Sequence, residues 1–209
     1  MDTRWRRRAR RTGYGAFLAG GFGILAVIVV GLAFALLRSF PAAIPPLPPL
    51  VPQPITSRFA DWRGAEGLPR PWQHSGIDIR ARVGTPALAA ADGVVLRTDR
   101  QFLAGKLIEV THAEGFSTVY FHLSEISVAP GQVVRRGDSL GRTGISGNAT
   151  TPHLHFGVCR RDDGSCGTRI GTGWDDPTRY WIEGNPCFVA GRPYPVRALR
   201  LTYPVPCGG

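Results

Sequence analysis

Seven prolines fall within the sixteen residues Ser39–Pro54, SFPAAIPPLPPLVPQP, and they divide the chain in two. Proline fixes φ and lacks an N–H donor, so this stretch can form neither a helix nor an inner strand. Residues 38–54 are therefore expected to be an extended, stiff linker. At about 3.1 Å per residue it reaches about 50 Å.

On the upstream side, the 25 residues Gly13–Leu37 carry no charge. As a helix they would be about 37 Å long, enough to cross a ~30 Å hydrocarbon core with some tilt. The arginine-rich segment 1–12 precedes them, and basic residues favour the cytoplasmic side. Residues 1–12 are thus expected in the cytoplasm, 13–37 as a single transmembrane signal-anchor helix, and the remainder outside. A cleaved signal peptide ending near Ala33–Ala35 is the alternative. Its apolar core would be about 7–15 residues, shorter than this run, so an uncleaved anchor is expected. The net charge of +10 invites a nucleic-acid reading, but residues 1–38 account for +6 of it. Topology explains that share, and no nucleic-acid partner is expected.

From Ile55 onward the text changes character. Short alternating runs such as SGIDIRA, DGVVLRT, KLIEVTH and FSTVYFHL are separated by Gly, Asp and Pro. β-branched residues recur and no apolar stripe of helical period appears, which predicts an all-β domain of antiparallel strands. Residues 55–181 are read as that domain, and 182–209 as a C-terminal extension. Cysteines are confined to this part: Cys159, Cys166, Cys187 and Cys207. An exported domain favours disulfides, and four cysteines allow three pairings. The expected one is Cys159–Cys166 with Cys187–Cys207. A zinc knuckle is the rival.

Candidate ligands are few, because the chain has five histidines: His74, His112, His122, His153 and His155. Alternate residues of a strand share a face. In HSGIDI this puts His74 and Asp78 on one side, with Gly76 leaving room between them, and Ile77 and Ile79 on the other. In TPHLHF it puts His153 and His155 together, opposite Leu154 and Phe156. Two such strands can converge on one ion, and a catalytic zinc site typically takes three N/O ligands and keeps a position open. His122 stands in reserve. Such a metal would activate water for hydrolysis, while the remaining histidines serve as general base or oxyanion donors. His112, at a strand end, is read as structural, and Asp92 and Asp138 as turn residues. Tyr120 and Trp72, with Trp62 and Trp174, are candidates to line a substrate groove, with core or rim packing as the alternative.

The motifs HSGIDI, VYFHL and TPHLHF, in this order, resemble the lysostaphin-type (LytM-like) zinc endopeptidases that cut peptidoglycan cross-bridges. GTPALAAADGVV, SEISVAPGQVVRRGDSLGRTGISG and DDPTRYW are similar to that family's intervening and closing segments. The resemblance implies an antiparallel β-sheet domain with a groove and one Zn²⁺ held by His74, Asp78 and His155. It implies catalytic roles for His122 and His153, and a peptidoglycan peptide as substrate. With the anchor, this implies a bacterial inner-membrane protein whose catalytic domain is periplasmic or extracytoplasmic. A protein regulator is a further candidate partner. A non-catalytic wall-binding or hydrolase-regulating module of the same fold is the alternative. The text departs from the family at Ala60, where Gly usually follows Phe, at Thr151-Pro152, and at Gly157, where Glu often stands. The loop DRQFLAGK replaces a Gly/Tyr-rich stretch.

Overall fold

The computed structural model describes residues 49–63, 69–160, 166, 173–195 and 198–208. The expected transmembrane helix and most of the linker lie outside the described residues. Residues Pro48–Gly209 form a compact unit. Among the described residues, the strands are β1 (Ile55–Ser57), β2 (Ile77–Arg80), β3 (Pro86–Leu88), β4 (Gly93–Gln101), β5 (Gly105–Thr111) and β6 (Phe116–Leu123). They continue with β7 (Glu125–Ile126), β8 (Val133–Val134), β9 (Ser139–Arg142), β10 (His153–Arg160) and β11 (Trp174–Asp175). The only helical pieces described are two short 3₁₀ turns, Ala113–Gly115 and Pro177–Tyr180.

The main sheet runs β1-β2-β10-β6-β5-β4-β8, with β11 also pairing β10, and a smaller sheet runs β3-β9-β7. Every strand pair in both sheets is antiparallel. The all-β expectation therefore holds for the described domain. Its cause is visible in the side-chain period: Ile77 and Ile79 of β2 and Leu154, Phe156 and Val158 of β10 are all fully buried in one core. Tyr120, Ile108, Val110 and Leu140 join them.

Both ends of the expected domain extend further than the sequence indicated. Val51 bridges Gly208, the carbonyl of Pro54 accepts from Arg80 N, and that of Gln53 accepts from Tyr203 Oη. The segment beyond Trp181 is not an appendage: Leu201, Tyr203 and Val205 enter the same core as β2 and β10. The alternation Leu201, Tyr203, Val205 carried that signal, but its many prolines and glycines read as loop. Cys159–Cys166 and Cys187–Cys207 form the expected disulfides, so no thiolate remains for a zinc knuckle. The second ties this segment back on itself.

Because Leu201 is fully buried, Leu201→Ala is expected to destabilise the domain by about 2–5 kcal/mol, as core truncations do. Urea unfolding of the variant beside the parent chain measures this. A change within experimental error would mean that the segment is dispensable for folding.

Candidate metal centre

The register of β2 against β10 builds the centre. It sets Phe156 opposite Ile77 and Leu154 opposite Ile79, facing the core, so His155 stands opposite Asp78 on the other face. His153 lies on that same face, two residues away, as its spacing predicted. His74 arrives differently from expectation. It precedes β2 on a bend, because the strand begins only at Ile77. Backbone hydrogen bonds hold it there, from His74 N to Asp61 O and from Ala60 N to His74 O. Gly76 also has another reason than room for a metal. A Cβ there would stand 2.3 Å from the carbonyl oxygen of Phe156. Glycine lets the approach to β2 pass close against β10.

Three donor atoms converge as a result. His74 Nε2 is 2.9 Å from His155 Nδ1 and 3.0 Å from Asp78 Oδ1, and His155 Nδ1 is 3.2 Å from the same oxygen. Tetrahedral ligands held about 2.0–2.1 Å from a zinc ion stand about 3.3 Å apart, so this near-equilateral triangle fits a metal of that size. The three residues are buried and of the right donor types. His74 Nδ1 donates to Arg58 O at 2.9 Å, which leaves Nε2 as its ligating nitrogen. Burial opposes ionisation of Asp78, but hydrogen bonds with His155 and His74 outweigh it and hold the carboxyl well below the usual range. Burial lowers the His155 pKa to about 3, against the raising effect of its hydrogen bond with Asp78. Asp78 is thus held ionised and burial favours the neutral His155 ring, as metal ligation requires. Glu109, Cys159 and Cys166 also cluster, but both sulfurs are spent in a disulfide.

His122 reaches the site through a break in the pleat. Strict alternation along β6 would place it with Tyr120, in the core. Its φ of 62° is left-handed, and the register with β5 jumps from Tyr120↔Ile108 to Leu123↔Lys106. Three steps on β6 oppose two on β5, which is a β-bulge, and bulges re-aim side chains beside functional sites. Phe121 and His122 both turn towards the centre and Leu123 turns into the core. The Phe121 ring stacks on His155 with centroids 4.8 Å apart, and the rings of His122 and His153 are also 4.8 Å apart. His122 Nδ1 donates to Ser146 O at 2.8 Å and His153 Nδ1 to Thr151 O at 2.7 Å. Burial and then the neighbouring His153 push the His122 pKa down to about 4.

A cavity of about 620 Å³ opens beside these residues, lined by Trp72, His74, Phe121, His122 and His155 among others. Trp72 and Trp174 line this cavity, and the tip of the β4–β5 turn adds Phe102 and Leu103. Tyr120 does not line the groove. It lies opposite Phe156 in the register, fully buried, with its Oη accepting from Ala90 N at 2.9 Å. Trp62 is exposed. His112 is structural as expected, donating from Nδ1 to Asp92 O and hydrogen-bonding Thr118 Oγ1. Asp138 and Asp92 accept from backbone N–H groups of Arg135 and Arg136. Gly157, where the resembling family often has Glu, has no room for a side chain: a Cβ would meet the Trp174 ring at 2.7 Å. Sequence reasoning missed Arg70, whose Nη2 donates to Asp78 Oδ2 at 2.6 Å. Only its place four residues before His74 hinted at it.

Buried donors grouped this way, beside two more histidines and an open groove, make a mononuclear metal-hydrolase type of site. Residues 72–166 match the model for Peptidase family M23, and the domain belongs to that family. The Vibrio cholerae peptidoglycan DD-endopeptidase ShyA is 38% identical over 102 residues, which are 49% of this chain and 24% of that protein. The Neisseria meningitidis DD-carboxypeptidase/endopeptidase Mpg is 45% identical over 83 residues, 40% of this chain and 19% of that one. The chain thus spans about a quarter or less of these curated relatives. In fold, the catalytic domain of lysostaphin from Staphylococcus simulans superposes with a TM-score of 0.50 at 24% identity, covering 63% of this chain and 91% of that one.

Two outcomes follow from this geometry. Gly76→Ala is expected to cost about 1–3 kcal/mol through its clash with Phe156 O, as overpacking does. Ala60 has a left-handed φ of 61°, so Ala60→Gly relieves strain and is expected to be neutral or stabilising. Thermal melts of both variants test the pair of signs. The metal-free protein is also expected to lose stability as pH falls from about 6.5 towards 4. The unfolded histidines take protons near 6.5, whereas folded His122 and His155 resist protonation until about 4 and about 3. Each ring contributes about 1.4 kcal/mol per pH unit within that window. Urea unfolding between pH 7 and 4.5 reads the slope, which His122→Gln should reduce by one ring's share.

Proposed function

We propose that this chain is a membrane-anchored zinc endopeptidase that hydrolyses peptide cross-links of bacterial peptidoglycan. The observation that carries the reading is the triangle of His74 Nε2, Asp78 Oδ1 and His155 Nδ1 on the wall of the groove, within an M23 domain. The relatives support the substrate, since ShyA and Mpg are named for peptidoglycan DD-endopeptidase and DD-carboxypeptidase/endopeptidase activity. They favour a D,D cross-link over a glycine bridge as the bond cut. Residues 13–37 would anchor the chain in the inner membrane, and the linker would hold the domain out towards the wall.

Zinc held by His74, Asp78 and His155 would supply Lewis acidity, lowering the pKa of water and polarising the scissile carbonyl. The protein's own part is proton handling and orientation. His122 and His153 each donate from Nδ1 to a backbone carbonyl, which leaves Nε2 of each ring as the nitrogen that can face substrate or water. His153 Nε2 stands 3.5 Å from Asp78 Oδ1, at the edge of the donor triangle. With its pKa near 4, His122 is neutral at pH 7 and can accept a proton at Nε2. Returning that proton to the departing amine would complete the cleavage. The Phe121 ring, stacked on His155, fixes the plane of that imidazole. Trp72 and Phe102 at the rim would bear on the peptide.

The full chain in detergent is expected to bind about one zinc and to release cross-link fragments from isolated peptidoglycan, identified by mass spectrometry. His155→Ala is expected to lose the metal. His122→Ala should keep it while kcat falls about 100-fold or more, the size of a lost general acid–base group. A zinc-loaded wild-type chain that leaves every cross-link intact would refute the enzyme reading.

A further inference from the structure

Asp78 offers two oxygens, and they face different partners. Oδ1 points at the histidines: 3.0 Å from His74 Nε2, 3.2 Å from His155 Nδ1 and 3.5 Å from His153 Nε2. Oδ2 is taken by the guanidinium of Arg70, with Nη2 at 2.6 Å. The carboxylate is almost wholly buried, so the outward oxygen depends on a protein donor rather than on water. Arg70 is itself braced. Its backbone N–H donates to Trp62 O, and its Nη2 also reaches Ser57 Oγ at 3.4 Å. Ser57 is the residue paired with Asp78 across β1 and β2, so the guanidinium and the carboxylate ride on the same piece of sheet.

We infer that Arg70 is a positioning residue that confines Asp78 to one-oxygen ligation of the metal. This rests on the zinc reading above. The chemistry has two parts. A carboxylate with both oxygens free tends to swing and chelate, which fills a position that water and the scissile carbonyl need. A charge-assisted bond to Oδ2 prevents this and sets the rotamer. The guanidinium also draws electron density from the carboxylate, which makes Asp78 a weaker donor and leaves the metal more acidic. Partners of this kind behind a ligand typically change metal affinity or activity by about 10–100-fold when removed.

Arg70 also lines the groove, so the test must separate positioning from direct substrate contact. The probe is Co²⁺ in place of zinc on the full chain, with visible absorption read alongside kcat and KM on a purified cross-linked muropeptide. Wild type is expected to show the intense bands of a four-coordinate ion. Arg70→Met should show weaker bands, as Asp78 closes onto the metal with both oxygens, and kcat should fall about 10–100-fold with KM little changed. Arg70→Lys keeps the charge with one shorter donor and should fall between the two. It carries the comparison if Arg70→Met does not fold. An unchanged cobalt spectrum with a raised KM in either variant overturns the inference and makes Arg70 a substrate contact. A wild-type chain that takes up no cobalt overturns the metal reading itself, and the inference with it.

Discussion

The antiparallel pairing of β2 with β10 is the constraint on which the rest depends. Ile77, Ile79, Leu154 and Phe156 must all face the core, because each is fully buried there. That requirement selects one register, and the selected register sets His155 across from Asp78. A slip of one residue would turn every side chain of a strand to the opposite face. The apolar face thus determines the position of the polar one. One glycine makes the pairing physically attainable, since a Cβ at Gly76 would strike the Phe156 carbonyl.

Around this pair the fold supplies what two strands cannot. The bulge in β6 brings Phe121 and His122 to the same side, one stacked on a donor and the other beside His153. The turn at residues 58–61 holds His74 by its backbone and orients its ring through Arg58 O. Arg70 closes the far side of Asp78. On one face the chain beyond Trp181 returns to complete the core, and on the site's face Val119 packs with the Cys159–Cys166 disulfide, Phe121 and Trp174 beside the groove.

Much of this was legible in the text because strands keep a period of two. H-x-H with Leu154 and Phe156 between and after it specified one polar and one apolar face, and the structure has both. The disulfide partners were also expected correctly. His122 was not derivable by the same rule. A strict pleat would bury it beside Tyr120, and no glycine marks the left-handed residue at the bulge. Tyr120 was misplaced for the same reason, because which face of β6 meets the core depends on its pairing with Phe156. Arg70 was invisible because an isolated arginine in a Pro-rich stretch names no partner. The last segment was discounted because proline and glycine mask a buried alternation.

What the sequence by itself determined was the all-β class of the domain and the residue types that its strands could bring to one face. Those follow from local rules: residue period, backbone restriction and side-chain chemistry. Only the tertiary structure decided that His74 comes from a bend, that His122 comes from a bulge, and that Asp78 presents one oxygen inward and one to Arg70. Those depend on contacts between segments far apart in the chain, where burial of an apolar face and satisfaction of buried polar atoms are settled together.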